Sequence, residues 1–347
     1  MAALTAARHG AAVVLVDENA EPGGQLRKQI HKFFGSKAHR AGVRGYRIAQ
    51  ELISDCTAAG VELLGQSVVF SLRECTLDLL QKDDAFNLKA DAIILATGAS
   101  ENALAFPGCT LPGVMGAGAA QTFVNLHRVL PGRRVLMVGG GNVGLIVAYQ
   151  LLQAGAEVVG VVEALPYLSG YQVHAAKIKR AGVPIWTSHT VLEARGDQEV
   201  QEVTIAAIDD HFHPLPGSER TLAVDTVCLA VGLTPLAELA WQAGCRFCYQ
   251  GALGGYVPLH SDNMETTLPH VYVAGDIAGV EEASTALEEG AIAGLAAAAA
   301  IGCPVPIAEF DAAQERLVSL RKGPFGDIRQ LVKSEIVKRW ADCRVVE

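Results

Sequence analysis

The stretch RRVLMVGGGNVG has the residue types and spacing of a phosphate-binding turn. A β-branched run, Val135–Val138, is followed by glycines in the order G-x-G-x-x-G. The first glycine permits a tight turn, the second lets the backbone approach a pyrophosphate, and the third lets a helix pack on the strand. The helix that follows directs its free N–H groups at the phosphates. The pattern predicts a dinucleotide-binding turn formed by Gly139, Gly141, Asn142, Val143 and Gly144.

Glu163 closes the next predicted strand, where an acid holds the adenosine ribose in such units. Its charge would repel a 2′-phosphate, so a nicotinamide cofactor bound here should be NAD rather than NADP. Glu163 follows Gly155 by eight residues, whereas Asp17 follows Gly10 by seven. A shift of one residue in the strand would leave Val162 at the position of the acid. NAD binding at this turn is therefore a hypothesis that the sequence leaves open.

The start of the chain repeats the second half of this unit. AALTAARHGAAVVLVDE resembles VAYQLLQAGAEVVGVVE, and each predicts an Ala/Leu-rich helix, a glycine and a strand that ends in an acid. The first copy ends in Asp17 and lacks the strand and glycine turn that precede the second copy. We therefore expect Met1 to be an internal residue, preceded by an extension of roughly 15 to 25 residues.

Three further apolar strands are predicted to stop at glycines. Thr97 and Gly98 follow ADAIIL, Gly232 follows DTVCLAV, and Gly275 and Asp276 follow PHVYVA. A glycine at the carboxyl end of a parallel strand lets a ligand approach the backbone closely. The helical run EEASTALEEGAIAGLAAAAA comes directly after the last of these turns. The three strand ends are therefore candidate parts of a ligand site.

Composition limits the class of protein. The 347 residues are 50% hydrophobic but only 6% aromatic, and the net charge of −9 is spread without a basic cluster. Nucleic acid and anionic membranes are therefore not expected as partners. No apolar stretch reaches the roughly 20 residues of a membrane span. Eight cysteines are scattered, several of them in apolar runs, which favours a soluble protein of the reducing cytoplasm.

The order of elements predicts an α/β fold. Two Rossmann-like domains are expected, the second inserted in the first, each with a parallel sheet and a small antiparallel β segment. The first domain is predicted to comprise residues 1–108 and 250–302, and the second residues 109–249. Residues 303–347 are expected to form a helical tail, to which the sequence assigns no chemistry.

Five stretches together resemble the pyridine nucleotide-disulphide oxidoreductases and their thioredoxin-reductase-like relatives: VLVDENAEPGGQL, ILATG, VGGGNVG, LAVGLTP and VYVAGD. Within that superfamily, VDENAEPGGQLRKQ and GNVGLIVAYQLLQAGAEVVGVVEALP are most similar to the flavin subunits of opine oxidases, hydrogen cyanide synthase and amino-acid dehydrogenases. The resemblance implies FAD in the first domain and a second nucleotide site, for NAD or another adenine nucleotide, at the G-x-G-x-x-G turn and Gly232.

The resemblance also assigns roles to residues of the first domain. Asp17 would hold the adenosine ribose of FAD, and Asp276 would hydrogen-bond its ribityl chain. The helix that begins near Ser284 would direct its N-terminus at the flavin C2 carbonyl, where negative charge grows on reduction. The cofactor-binding residues implied for FAD are Asp17, Gly23, Gly24, Gln25, Thr97, Gly98, Gly275, Asp276 and Ser284.

The implied activity is that of an FAD-dependent oxidoreductase or its flavin subunit. A hydride would pass to flavin N5 from the C–H beside an amine nitrogen or from NADH, and electrons would leave to a partner subunit or another acceptor. No catalytic acid, base or nucleophile stands out. A nicotinamide-dependent flavoprotein reductase of thioredoxin-reductase-like fold is an alternative. A nucleotide-binding structural subunit without catalysis is another, and a homo-oligomer is as open as a partner subunit.

Departures from the family pattern concern the thiols. The chain has one C-x-x-C, Cys245 and Cys248, at the predicted return to the first domain and outside the family positions of the redox pair. We expect structural thiols there, with redox or metal roles as alternatives, and no disulphide relay. His211 and His213 are expected in a solvated loop, so no metal site is predicted. The basic stretch 28–45 either covers the cofactor or forms a surface loop.

Overall fold

The computed structural model describes residues 1–34, 36–323 and 326–344. Gly35, within the basic stretch 28–45, and residues 324, 325 and 345–347, within the predicted tail, lie outside the described residues. The chain divides into two compact units. The first unit comprises Met1–Leu26, Lys32–Ser100 and the chain from Leu233 onward, and the second comprises Arg27–His31 and Glu101–Gly232.

Helices lie in both units. They are α1 (Ala2–Arg8), α2 (Gly45–Ala58), α3 (Ala117–Thr122), α4 (Asn142–Gln153), α5 (Gln172–Arg180), α6 (Glu238–Ala243), α7 (Ala283–Ala300), α8 (Ile307–Leu320) and α9 (Asp327–Arg344). Short 3-10 turns occupy Gly24–Lys28, Lys37–His39, Gly251–Leu253 and Gly275–Ala278, and a π-helical turn occupies Phe123–His127.

The strands are short and mostly apolar. They are β1 (Val14–Val16), β2 (Glu62–Leu64), β3 (Ser67–Arg73), β4 (Thr76–Gln81), β5 (Asp84–Lys89), β6 (Ile93–Leu95), β7 (Ala99–Glu101), β8 (Val114–Gly116), β9 (Arg134–Val138), β10 (Glu157–Glu163), β11 (Ile185–Thr187), β12 (His189–Arg195), β13 (Glu202–Ala207), β14 (Arg220–Ala223), β15 (Thr226–Leu229), β16 (Leu233–Pro235), β17 (Phe247–Gln250), β18 (Gly255–Pro258) and β19 (Val271–Val273).

The second unit is built on a five-stranded parallel sheet of order β11-β10-β9-β15-β8. Side chains of β9 alternate between its two faces. Val135 and Met137 pack with the helices, whereas Leu136 and Val138 pack with the antiparallel sheet β12-β13-β14. All four are 5% exposed or less. A strand buried on both faces explains the unbroken apolar run before the glycines.

The first unit carries two separate pairs of parallel strands, β1 with β2 and β6 with β19. An antiparallel sheet, β3-β4-β5, and a hairpin, β17-β18, also belong to this unit. α7 lies against α1, where a Cβ on Gly294 would come 2.5 Å from the carbonyl oxygen of Ala2. The predicted α/β class, with Rossmann-like parallel sheets in two units, is confirmed. The predicted upstream extension stays a prediction.

The segment expected as a helical tail packs into the first unit. α8 lies against α7 through Ala313 and Leu317, which belong to the same core as Ile292. α9 places Ile336, which is fully buried, beside Leu253 in the 3-10 turn between β17 and β18. The units divide at 100/101 and 232/233, whereas the sequence-based limits stand at 108/109 and 249/250.

The close fit of α4 on β9 predicts a large cost for one added methyl group. A Cβ on Gly144 would overlap with the carbonyl oxygen of Gly139 and lie 3.3 Å from the Cβ of Ala230. We expect Gly144→Ala to lower the free energy of unfolding by about 2 kcal/mol, measured by thermal denaturation. Gly251→Ala is the control, because the nearest atom to its Cβ lies at 3.8 Å. Equal melting temperatures for the two variants would contradict this packing.

Candidate nucleotide-binding sites

The predicted dinucleotide turn follows β9 directly. Gly139 has a φ of +112°, a conformation that favours glycine, and a Cβ on it would overlap with the carbonyl oxygen of Ala230, the residue after β15. Gly141 precedes the first residue of α4, Asn142, and Val143 is 41% exposed in its first turn.

Gly232 is held apart from this turn by a contact of its own. Its carbonyl accepts the N–H of Asn102 at 3.0 Å, and a Cβ placed on it would lie 2.9 Å from the Asn102 side chain. Ala230, two residues earlier, is the residue that meets Gly139 and Gly144. The contact between the end of β15 and the glycine turn is therefore made by Ala230.

Glu163 lies at the end of β10 with its carboxylate at the turn. One oxygen accepts the N–H of Gly140 at 2.7 Å, and the other accepts the N–H of Leu165 at 2.8 Å. The residue is only 8% exposed. A buried carboxylate needs such donors, because removal from water without them is costly. Glu163 therefore fixes the turn from the position where an acid would hold a ribose.

The extra residue before Glu163 is accommodated by a β-bulge. In the pairing of β10 with β9, Val158 lies opposite Val135 and Gly160 opposite Leu136, so the register shifts at Val159. Beyond the bulge, Val162 is buried in the apolar core of the second unit. The bulge explains how eight residues after Gly155 bring an acid to the turn where seven bring Asp17 to the end of β1.

A four-residue segment, Leu168–Tyr171, lies over this turn; we call it the covering segment. Gly170 donates its N–H to the Gly140 carbonyl at 3.2 Å, and Tyr171 donates its N–H to the Asn142 side-chain oxygen at 2.7 Å. A Cβ on Gly140 would lie 2.5 Å from a methyl group of Leu168. A Cβ on Gly170 would lie 3.0 Å from the Asn142 nitrogen. The chain itself therefore fills space in front of the first N–H groups of α4.

The first unit holds the residues implied for FAD. Asp17 follows β1, is half-buried, and its side-chain oxygen accepts the backbone N–H of Asn19 at 2.9 Å. Gly23 and Gly24 have φ values of +129° and +52°. Gln25 is exposed in the 3-10 turn that Gly24 begins. Within the described chain, no atom lies within 4 Å of a Cβ placed on Gly24, so open space faces this turn.

A second group of these residues meets at the carboxyl ends of β6 and β19. The two strands are parallel, with Leu95 opposite Val273, so the turns that follow them lie at one edge. The Thr97 hydroxyl donates to the carbonyl of Leu236, and Gly98 accepts the N–H of Leu236 at 2.9 Å. Gly98 has a φ of +78°, and open space likewise faces its Cβ position within the described chain.

Gly275 and Asp276 begin the 3-10 turn that leads towards α7. Gly275 donates its N–H to Glu289 at 3.0 Å, and α7 begins at Ala283, with Ser284 half-buried in its first turn. Burial, together with the nearby carboxylates of Glu289 and Glu281, raises the pKa of Asp276 to about 6. Asp276 thus titrates close to neutral pH at the edge where the FAD residues collect.

A buried ionic cluster behind this turn was not predicted from the sequence. Glu289 accepts hydrogen bonds from Arg321 at 2.5 Å and from Lys333 at 2.7 Å. Arg321 also pairs with Glu281 at 2.6 Å, and all four side chains are 7% exposed or less. The available signal was an acid in an apolar helix, because a buried carboxylate requires a partner. Both partners come from the segment to which the sequence assigned no chemistry.

The basic stretch 28–45 is divided between the units. In the second unit, Lys28 donates to the carbonyl of Gly118 at 3.2 Å, and Asn125 donates to the carbonyl of Lys28 at 2.7 Å. In the first unit, the buried ring of His39 lies 3.0 Å from a carboxylate oxygen of Glu288. Parts of this stretch are therefore held by specific polar contacts in each unit, and neither sequence-based alternative describes it fully.

Other sequence candidates lie away from these turns. Cys245 and Cys248 are buried free cysteines, and burial raises the pKa of both thiols. His211 and His213 are exposed, and their N–H groups bond the carboxylate of Asp209. Among the described residues, no group of histidine, cysteine and acidic side chains could hold a metal ion. No described helix combines the length and apolarity needed to cross a membrane.

Two Rossmann-like units, each with glycine turns at the ends of its parallel strands, define a dinucleotide-binding oxidoreductase architecture. Residues 1–290 match the family described as pyridine nucleotide-disulphide oxidoreductase. The chain belongs to this family, as the resemblance predicted.

Relatives of known name are subunits of larger oxidoreductases. The chain is 30% identical over 315 residues to hydrogen cyanide synthase subunit HcnB of Pseudomonas aeruginosa, covering 85% of this chain and 67% of that protein. It is 28% identical over 316 residues to an opine oxidase subunit of Agrobacterium tumefaciens, covering 86% and 63%. For the alpha subunit of sarcosine oxidase from Corynebacterium sp., the values are 27% identity, 87% and 31%. The chain thus spans about two thirds or less of these proteins.

Solved structures share the fold. Thioredoxin reductase of T. acidophilum superposes with a TM-score of 0.69 at 22% identity, over 86% of this chain and 93% of that one. L-proline dehydrogenase from P. horikoshii superposes with a TM-score of 0.68 at 19% identity, over 92% of this chain and 56% of that one. At these identities, the likeness establishes the fold.

The two bonds of Glu163 predict its contribution to stability. Glu163→Ala would leave the N–H groups of Gly140 and Leu165 without their acceptor, so we expect a loss of about 2 kcal/mol in the free energy of unfolding. Glu157→Ala, at the other end of β10, removes an exposed ion pair with Arg134 and should cost less than about 1 kcal/mol. Chemical denaturation of both variants measures the difference. A smaller loss for Glu163→Ala than for Glu157→Ala would contradict this role.

Proposed function

We propose that this chain is the flavin-binding part of an FAD-dependent oxidoreductase, in which an amine or amino-acid substrate donates a hydride. The observation that carries the proposal is the contrast between the glycine turns of the two units. Open space faces Gly24 and Gly98 in the first unit, whereas Leu168 and Ser169 lie over Gly140 and Gly141 in the second. The first unit is therefore ready to accept a dinucleotide, and the second turn is covered by its own chain.

The residues present in the first unit fit FAD. Positive φ angles at Gly24 and Gly98 let a ligand approach the backbone without a Cβ in the way. Asp17, at the end of β1, would accept hydrogen bonds from the adenosine ribose, and Asp276 would accept them from the ribityl chain. Thr97 and Gly98 would lie near the phosphates, with Gly23 and Gln25 along the same side. These assignments follow the resemblance and support the proposal.

The bound flavin supplies the redox chemistry by accepting a hydride at N5. The chain contributes binding, orientation and charge stabilisation. The N-terminus of α7 carries the partial positive charge of unpaired N–H groups, and within the described structure no side chain caps it. Such an N-terminus stabilises negative charge that develops on a neighbouring group. This is the role we assign to residues 283–285, including Ser284.

The covering segment favours an amine donor over NADH. A nicotinamide cofactor on the second turn would need the N–H groups of α4, in front of which Gly170 and Tyr171 lie. The names of two relatives, opine oxidase and sarcosine oxidase, point to secondary amines as substrates of those proteins. A C–H bond beside an amine nitrogen is a suitable hydride source, and its oxidation yields an imine and a reduced flavin. NAD at the second turn is not part of the proposal.

Electrons leave by a route other than a thiol pair. The nucleophile of dithiol exchange is a thiolate, which a raised pKa disfavours. Burial raises the pKa of both Cys245 and Cys248. The relatives are named as subunits, so we propose that a partner oxidoreductase subunit either receives the electrons or carries the substrate site.

The proposal predicts a yellow protein that an amine bleaches. Under anaerobic conditions, sarcosine or another N-alkyl amino acid should reduce the bound flavin, and NADH should reduce it at least about tenfold more slowly. Stopped-flow absorbance measures both rates on the purified protein with its partner subunit. A colourless protein that binds nucleotides without turnover would instead favour a structural subunit. Faster reduction by NADH than by any amine would favour a nicotinamide-dependent reductase.

The pKa of Asp276, raised to about 6, predicts a pH dependence of FAD binding. Only the ionised carboxylate is a pure acceptor for ribityl hydroxyls, so FAD affinity should fall as the pH drops from 7 to 5 and Asp276 takes up a proton. Asp276→Asn should bind FAD more weakly at pH 7 and show little change over this range. Fluorescence titration of FAD at each pH measures the affinity. An equal pH dependence in the two proteins would assign the titration to another group.

A further inference from the structure

Lys333 of α9 contacts the turn that begins with Gly275 and Asp276. Its ammonium group donates to the carbonyl of Ala278 at 3.0 Å and to Glu289 at 2.7 Å, and its side chain is 3% exposed. Glu289, 44 residues away in sequence, uses its other oxygen to accept the N–H of Gly275 at 3.0 Å. The first and last residues of the 3-10 turn Gly275–Ala278 are therefore held by one pair of buried charges.

Asp276 lies inside the turn that this pair holds. Its carboxylate accepts the N–H of Glu281 and is half-buried. Several charged or titratable groups surround this region from the elements packed there: Glu281 before α7, Glu289 of α7, Arg321 after α8, Lys333 of α9, and the buried ring of His260.

The charges of the cluster balance only while Lys333 is present. Glu281 and Glu289 supply two negative charges, and Arg321 and Lys333 supply two positive charges. Loss of the ammonium group would leave one net negative charge next to Asp276. In a buried setting, such a charge interacts strongly with a neighbouring carboxylate. Lys333 thus acts on Asp276 both through the backbone of the turn and through its charge.

We infer that Lys333 is a positioning residue for FAD, which fixes the ribityl-binding turn and keeps Asp276 ionised at neutral pH. The inference rests on the proposed function and extends it to the C-terminal helices. It makes α9 part of the cofactor site, although Lys333 itself contacts Glu289 and Ala278 rather than the ligand positions. Arg321 pairs with Glu281 and Glu289 and completes the balance of charge.

The test is the pH dependence of FAD affinity in charge variants, measured by fluorescence titration from pH 5 to 8. Lys333→Met should move the midpoint upward by about one pH unit and weaken FAD binding at pH 7 about tenfold. Glu289→Gln removes the opposite charge and should move the midpoint downward. The double variant Lys333→Met/Glu289→Gln restores the balance and should titrate near the wild-type midpoint. Lys338→Met, on the exposed face of α9, is the matched control.

The outcomes separate the inference from the proposed function. A wild-type protein that does not bind FAD at any pH contradicts the proposed function itself. A wild-type protein that binds FAD, with midpoints that the Lys333 and Glu289 variants leave unchanged, contradicts only the inference. A purely structural role would lower the melting temperature without moving the midpoint. If Lys333→Met does not fold, the downward shift in Glu289→Gln and its reversal in the double variant decide the question.

Discussion

A carboxylate removed from water must find donors within the protein, and Glu289 is the residue where this requirement shapes the first unit. It is 2% exposed, and it accepts hydrogen bonds from a backbone N–H, a guanidinium and an ammonium group. Those three donors come from the turn after β19, the end of α8 and the middle of α9. One buried acid therefore joins the candidate flavin site to helices far along the chain, since each donor left alone would carry the cost of a buried unpaired group.

The two units share the same elements and present them differently to a ligand. In the first unit, glycine turns face open space, and a carboxylate with a pKa raised to about 6 lies at the same strand edge. In the second unit, the glycine turn is bonded on one side to Glu163 and on the other to the covering segment. The same helix N-terminus that binds phosphate in such folds here faces Gly170. Two similar sequence patterns therefore support different functions.

The sequence predicted the features that depend on local patterns. The apolar runs before Gly139 and Gly275 became parallel strands, and the helices after these turns begin at Asn142 and Ala283. Features set by contacts between distant residues were not predicted. The β-bulge at Val159 depends on pairing with β9, and the contact of Lys333 with Glu289 joins residues 44 positions apart. The covering segment has the composition of an ordinary loop, so only its contacts with Gly140 and Asn142 reveal its position.

The proposed chemistry depends on one occupied nucleotide site per chain, formed by the first unit. Isothermal titration calorimetry of flavin-free protein with FAD and, separately, with NAD measures this directly. We predict a single equivalent of FAD and no measurable heat with NAD under the same conditions. Tight binding of NAD without binding of FAD would contradict the assignment of the flavin to the first unit.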